Sequence, residues 1–236
     1  MINKNITPEI AQICGIIAGD GHLCKYITST RNDYRIDISG NKTEEIDYFN
    51  YVSCLFNNSF GRPLKLKFKK NYLSLYIHSK EFVLFFENIG IPTGKKSDIV
   101  FIPEGIKNDL VLACSFLRGL ADTDFSISFK KGDRKQHSYP VIVGTSVSKR
   151  LIQDVSEVLT QLEIKHNIYT IKTDNNFGKF ENYRIEINGR NNYDKWMNFI
   201  GFSNTKHLTK IAIWKKQGYC PPNTTYLERI KKLKEK

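Results

Sequence analysis

Ile13-Cys14-Gly15-Ile16-Ile17-Ala18-Gly19-Asp20-Gly21 decides how this chain is read, because Leu117-Arg118-Gly119-Leu120-Ala121-Asp122-Thr123-Asp124-Phe125 says nearly the same thing again. Gly15 and Gly119 stand 104 residues apart, and so do Asp20 and Asp124. Each copy reads as a short apolar helix that closes on an acid. Thr7-Pro8 starts the first one: a threonine side chain accepts from the orphan amides, and proline at the first helical position forfeits no hydrogen bond. Ile10, Ile13, Ile16 and Ile17 then recur at helical spacing. Glycine weakens a helix by about 1 kcal/mol relative to alanine, so Gly15 and Gly19, four apart on one side, require a packing reason. Close approach of a second helix backbone supplies one.

Outward from the motifs, the two halves repeat one order. His22–Tyr26 and Tyr34–Ser39 form a hairpin around a polar tip, and a helix follows at about 43–56, capped by Thr43 or Asn41. Leu64–Lys69 and Tyr72–Ile77 form a second hairpin, and a helix over 79–88 ends at Gly90. In the second half the motif helix spans 109–122. A hairpin of 126–130 with 140–143, a helix over 148–162, a hairpin of 167–172 with 183–187, and a helix over 193–200 follow. Gly201-Phe202 answers Gly90-Ile91 at an offset of 111, so the second repeat has gained residues. The expected class is α+β, with two αββαββα repeats divided as residues 1–104 and 105–236. The basic stretch Tyr226–Lys236 reads as a surface-lying helix, with a DNA-facing role as the alternative.

Thirty-six Lys and Arg against 24 acids give a formal charge of +12 and a pI near 9.4, which points to a polyanionic partner, nucleic acid before membrane. The five cysteines lack zinc-knuckle spacing, and Cys14 and Cys114 lie in apolar runs as reduced core residues. No apolar run reaches the ~18 residues of a membrane span, and Met1–Asn5 lacks a signal-peptide core, so an intracellular setting (cytoplasmic or nucleoid) is expected.

Two pseudo-symmetric halves suit duplex DNA, and an antiparallel sheet with helices on one face leaves the other free. Candidate DNA contacts are Lys25, Tyr26, Arg31, Arg35, Lys65, Lys67 and Lys69, then Lys130, Lys131, Arg134, Lys135, Lys172, Lys179 and Arg184. Such cations hold phosphates, and a two-stranded ribbon in the major groove can read base edges. Two helices meeting at Gly15, Gly19 and Gly119 would bring Asp20 and Asp124 together at one end, where paired carboxylates can bind Mg2+ for phosphodiester hydrolysis. The bland alternative makes each aspartate a turn residue after a helix. Recurrence at the same place in two repeats favours function.

With the repeat order, the two motifs resemble the paired signature helices of the LAGLIDADG homing endonucleases, in their single-chain, two-repeat form. The resemblance implies saddle-shaped antiparallel sheets straddling DNA, with the motif helices as the inter-repeat interface. It implies a monomeric, site-specific double-strand DNA endonuclease that cuts a long, near-asymmetric site across the minor groove and leaves short 3′ overhangs. Asp20 and Asp124 would be the catalytic carboxylates holding Mg2+, or another divalent cation such as Mn2+. A basic residue late in each repeat maps to Lys95 or Lys96 and to Lys206, the constant offset of 111 pairing Lys95 with Lys206; a polar residue after the second strand maps to Asn41. Asp122 would cap or orient the helix end. Phe125 stands where the family has glycine, and would either distort the turn that aims Asp124 or pack on the hairpin. Without the terminal His-Asn of an intein, the chain reads as free-standing or intron-encoded. The alternative is a non-cleaving relative, an RNA-splicing maturase or DNA-binding regulator.

Overall fold

The computed structural model describes residues 4–30, 32–131, 136–175 and 178–235. Its first repeat runs α1 (Pro8–Ala18), β1 (Gly21–Ile27), β2 (Asn32–Gly40), α2 (Ile46–Phe60), β3 (Lys65–Phe68), β4 (Leu73–His78) and α3 (Lys80–Ile89). A connection carrying the one-turn α4 (Glu104–Lys107) leads to the second. That repeat runs α5 (Leu110–Asp124), β5 (Phe125–Lys131), β6 (His137–Ser146), α6 (Lys149–Gln161), β7 (Asn167–Asn175), β8 (Gly178–Asn188) and α7 (Arg190–Phe199). Two further helices, α8 (Thr205–Gln217) and α9 (Tyr226–Lys234), close the chain. The αββαββα order is present twice.

Each repeat forms one four-stranded antiparallel sheet, β1-β2-β4-β3 and β5-β6-β8-β7. Period-two alternation divides the faces. Leu23, Ile36, Ile38, Leu73, Leu75 and Ile77 are buried beneath the helices, and so are Phe125, Ile127, Phe129, Ile185 and Ile187. The intervening residues, among them Arg35, Asp37 and Tyr76 in one sheet and Ser126, Ser128 and Arg184 in the other, stand on the opposite faces.

The two repeats meet where α1 crosses α5. A Cβ at Gly15 would collide with the Phe116 carbonyl oxygen and lie 2.9 Å from Leu120 N; a Cβ at Gly119 would collide with the Gln12 carbonyl oxygen and lie 2.9 Å from Ile16 N. The contact is self-reciprocal, because Gln12 and Phe116 are related by the same 104-residue offset as the glycines. Ile13, Ile16, Phe116, Leu117 and Leu120 surround the crossing and are buried. Thr7 caps α1 through its side chain, as its sequence position required.

One local expectation shifts, and the last two helices add to the reading. α2 begins at Ile46 with Glu45 at its N-cap, in place of Thr43 or Asn41. α8 was not legible as a helix in the sequence; its N-cap Asn204 accepts from Lys206 N. α9 is the expected tail helix, closed by a Thr225–Glu228 capping box, and it is packed down: Tyr226 and Arg229 are buried, and Arg229 Nε donates to Thr209 Oγ1 at 3.0 Å. Phe125 packs on the hairpin. Its ring fills the space that a side chain at Gly144 would need and stacks on Trp196 at 5.8 Å.

Because backbone stands on both sides of the crossing, an added side chain there has nowhere to go. Gly119→Leu and Gly15→Leu are each expected to destabilise by about 3 kcal/mol or more, or to prevent folding, since overpacking against unyielding atoms exceeds ordinary core repacking. Urea unfolding followed by circular dichroism checks this.

Candidate functional site

The helix crossing delivers two acids to one place. α1 ends at Ala18 and turns through Gly19 to Asp20, while α5 continues to Asp124 as its last residue. At Gly19 an added Cβ would meet Thr123 and lie 3.3 Å from the Asp124 carboxyl carbon, so the second carboxylate lies directly beside the first helix end. Both aspartates are open to solvent yet hemmed in by protein. Desolvation lifts the Asp20 carboxyl above its usual range, with Glu45 adding to the rise and Lys206 and Lys96 opposing it. Asp124 is pushed up to about 6, first by desolvation and then by the neighbouring Asp20 charge.

A lysine closes each helix end. Lys96 Nζ donates to the Ile17, Ala18 and Gly19 carbonyl oxygens, the last two at 2.7 and 2.6 Å. Lys206 Nζ lies 3.4 Å from the Thr123 carbonyl oxygen and 2.9 Å from Glu45 Oε1. These carbonyls are the partially negative pole of each helix, where a cation is favoured. Burial lowers Lys96 to about 8, against the pull of Asp124 and Asp20. The geometry therefore pairs Lys206 with Lys96. Lys95, which the constant offset selected, is exposed and makes none of these hydrogen bonds. The first segment has one more residue between Gly90 and Lys96 than the second has between Gly201 and Lys206, so counting misplaces the lysine.

Asn41 is exposed, and its side-chain oxygen accepts from Thr43 N and Glu44 N. It shapes the turn that leads to Glu45. Asp122, buried among the helices, accepts from Ser203 N and Asn204 N at 2.7 and 2.9 Å. It orients the start of α8 rather than capping its own helix, and burial raises it to about 7 despite those bonds. Glu45 and Asn204 had no sequence signal of their own. Asn204 Nδ2 donates to Glu45 Oε1 at 2.7 Å and to the Asp122 carbonyl oxygen, which joins the two repeats beneath the aspartates.

The candidate DNA contacts divide. Tyr26, Lys65, Lys67, Lys69, Lys130 and Lys131 are exposed, and Tyr26, Arg35, Lys65, Lys67, Lys130 and Arg184 share the helix-free faces. Arg35 and Arg184 are each held by the acid two residues on, Asp37 at 2.5 Å and Glu186 at 2.7 Å. Glu186 also binds Lys130 at 2.8 Å. Lys25 does not belong with them: it shares the face of Leu23, toward the helices, and pairs with Glu87 of α3 at 2.7 Å. Lys172 is exposed, 3.5 Å from Glu181. Arg31, Arg134, Lys135 and the Lys179 side chain lie outside the described residues. Among the described residues no helix is long and apolar enough to cross a membrane.

Residues 112–201 match the family model for a LAGLIDADG-like domain. The chain is 28% identical over 207 residues to the replication factor C small subunit of Methanocaldococcus jannaschii, covering 86% of this chain and 10% of that protein. It is 27% identical over 202 residues to a DNA polymerase of Thermococcus kodakarensis, covering 81% and 11%. It thus spans about a tenth of the length of these curated relatives. Among solved structures it resembles I-DmoI in complex with DNA and Mn, with TM-score 0.59 and 19% identity over 84% of this chain and 98% of that one. It also resembles I-SmaMI bound to uncleaved DNA target in the presence of calcium ions, with TM-score 0.56 and 13% identity over 98% of each chain.

The raised carboxyls make a stability prediction. A raised folded-state pKa means that the folded protein holds the proton more tightly than the unfolded chain. Stability from that source is present below about pH 4 and is lost as pH rises through about 6 for Asp124. In EDTA at pH 7.5, Asp124→Asn is therefore expected to stabilise the protein. The gain should be on the order of 1 kcal/mol after discounting for solvent exposure, or roughly 2–4 °C in Tm, and should vanish near pH 4. Thermal melts of both proteins across pH test the sign.

Proposed function

We propose that this chain is a LAGLIDADG protein of the single-chain two-repeat form, and that it is a site-specific, divalent-metal-dependent double-strand DNA endonuclease that works inside the cell as a monomer. The observation that carries the reading is the placement of Asp20 and Asp124 side by side at the ends of two helices crossing through glycine, each end topped by a lysine. A protein that only binds anionic DNA gains nothing from two adjacent carboxylates desolvated enough to be lifted out of their ordinary range. Phe125, which stands where the family has glycine, packs on Gly144 and Trp196, and Asp124 remains the last residue of its helix.

Asp20 and Asp124 fit a hard cation. Mg2+ is commonly held by one or two carboxylates, with phosphate oxygens and waters completing its shell, so a cluster of three acids is not required. A divalent ion bound there supplies Lewis-acid stabilisation of the charge that develops at the scissile phosphate. Mg2+ is the expected physiological ion, with Mn2+ able to substitute. The remaining work belongs to the chain. The helix-free sheet faces seat the duplex through Lys65, Lys67, Lys130 and their neighbours, which neutralise phosphates. Arg35 and Arg184, each steadied by an acid, present guanidinium groups suited to guanine edges. The two faces carry different residues, so the target is near-asymmetric. Lys96 and Lys206 offset the negative helix ends that would otherwise face DNA phosphates, and their charge would help to stabilise the charge that grows on the reacting oxygens. By the resemblance to the LAGLIDADG homing endonucleases, one acid would serve each strand and the cuts would fall across the minor groove, leaving short 3′ overhangs.

A target duplex is first recovered by binding selection from a randomised library in EDTA. Asp20→Asn and Asp124→Asn should bind it as well as the wild type or better, because an anion has been removed from beside DNA. In Mg2+ each should cut poorly. Gel shift beside cleavage checks both halves, and a double variant that still cleaves would remove these residues from the active site. Wild-type affinity should also fall steeply with salt, at a log–log slope of about −0.9 per phosphate neutralised. A flat dependence contradicts duplex DNA as the partner.

A further inference from the structure

The two lysines occupy matching places and have different surroundings. Lys96 is held by three carbonyl oxygens of its own repeat's motif helix. Among the described residues no carboxylate lies within salt-bridge reach of it. Lys206 rests near one carbonyl oxygen and is bound by Glu45, which comes from the other repeat.

Glu45 is built into this role. It is 5% exposed. Its Oε2 accepts from Asn41 N at 2.7 Å, and its Oε1 accepts from Asn204 Nδ2 at 2.7 Å and Lys206 Nζ at 2.9 Å. Asn204 is fixed in turn by the Asp122 carbonyl oxygen and is the N-cap of the helix that carries Lys206. Gly40 leaves the space, since a side chain there would stand 2.9 Å from Glu45 Oε2. A buried carboxylate with its lone pairs engaged in this way holds a cation in one position, where a solvated pair would not. The equivalent place in the second repeat, the N-cap of α6, is Ser148. Its hydroxyl caps that helix and donates to the Val100 carbonyl oxygen at 2.6 Å, and the Lys96 ammonium donates to carbonyl oxygens of α1 and its end instead.

Resting on the endonuclease reading above, we propose that Glu45 is a positioning residue that acts across the repeat interface on Lys206, making the two half-sites inequivalent so that cleavage of one strand depends on Glu45 and cleavage of the other does not. Lys96 needs no such partner because the helix end itself supplies three acceptors.

The test uses the full chain and a target duplex labelled differently on its two strands. Lys206→Ala identifies the strand that Lys206 serves. Glu45→Gln, which keeps the size and one acceptor oxygen, should slow that same strand by roughly tenfold or more, the scale on which mispositioned catalytic groups act. The other strand should stay within about twofold, so nicked product should accumulate. The ratio of the two rates within one sample does not depend on the fraction of protein folded, so a general loss of stability cannot imitate the result. Glu45→Asp should recover part of the lost ratio. A second readout needs no cleavage: acetylation of Lys206, followed by mass spectrometry, should rise in Glu45→Gln while Lys96 stays unchanged. If the wild type cuts and Glu45→Gln slows both strands equally or neither, or if Lys206→Ala shows no strand preference, this inference is overturned. Unchanged Lys206 acetylation would overturn it too. A wild type that cuts neither strand overturns the endonuclease reading itself, and this inference with it.

Discussion

Everything in this molecule hangs on a backbone-to-backbone contact. Gly15 lies over the Phe116 carbonyl and Gly119 over the Gln12 carbonyl, so the two motif helices approach as closely as peptide groups allow. Glycine at these positions sacrifices local helix stability, and the return is an interface that makes one core of two small repeats. The same contact fixes where the helices end. Because each glycine stands five residues before its aspartate, closing the crossing brings Asp20 and Asp124 together without any loop having to be ordered for the purpose.

That arrangement has an electrostatic consequence. Two helix C-termini point their negative poles toward the place where a polyanion would lie, and two carboxylates add to them. The chain answers with one lysine per end, yet desolvation outweighs that help: Asp124 is pushed up to about 6 and Asp20 is raised as well. Under the proposed function, a divalent cation would offset the two carboxylate charges there. The second repeat carries a further layer, in which Asp122 docks the start of α8 and Asn204 and Glu45 extend the network into the first repeat. The first repeat has Ala18 at the place of Asp122, so the two halves share a backbone plan and differ in their polar wiring.

The backbone plan was legible in the sequence because it rests on short-range rules. Helical spacing in Ile10–Ile17, strand alternation in Leu64–Lys69 and the doubled motif name the elements, their order and the crossing. What was not legible depends on who meets whom. The sequence offers both Lys95 and Lys96, and a constant offset pairs Lys95 with Lys206 because counting assumes equal loops; one extra residue before Lys96 breaks the count. Lys25 reads as a surface cation, yet its parity turns it toward α3, where Glu87 receives it. Glu45 resembled any acid in the first turn of a helix; its burial is imposed by Asn204 and Lys206, more than 150 residues away. α8 has no clear apolar period, since its buried residues face β5 on one side and α9 on the other.

The most direct test of the central claim is a crystal of the protein with its target duplex grown in Mn2+, with diffraction recorded at a wavelength where manganese scatters anomalously. The account predicts anomalous density between the Asp20 and Asp124 carboxylates and the DNA phosphates, at ordinary metal–oxygen distances of about 2.0–2.6 Å. Manganese density elsewhere on the complex, with both carboxylates free of it, would contradict the claim that the helix crossing exists to build a metal site at the scissile phosphates.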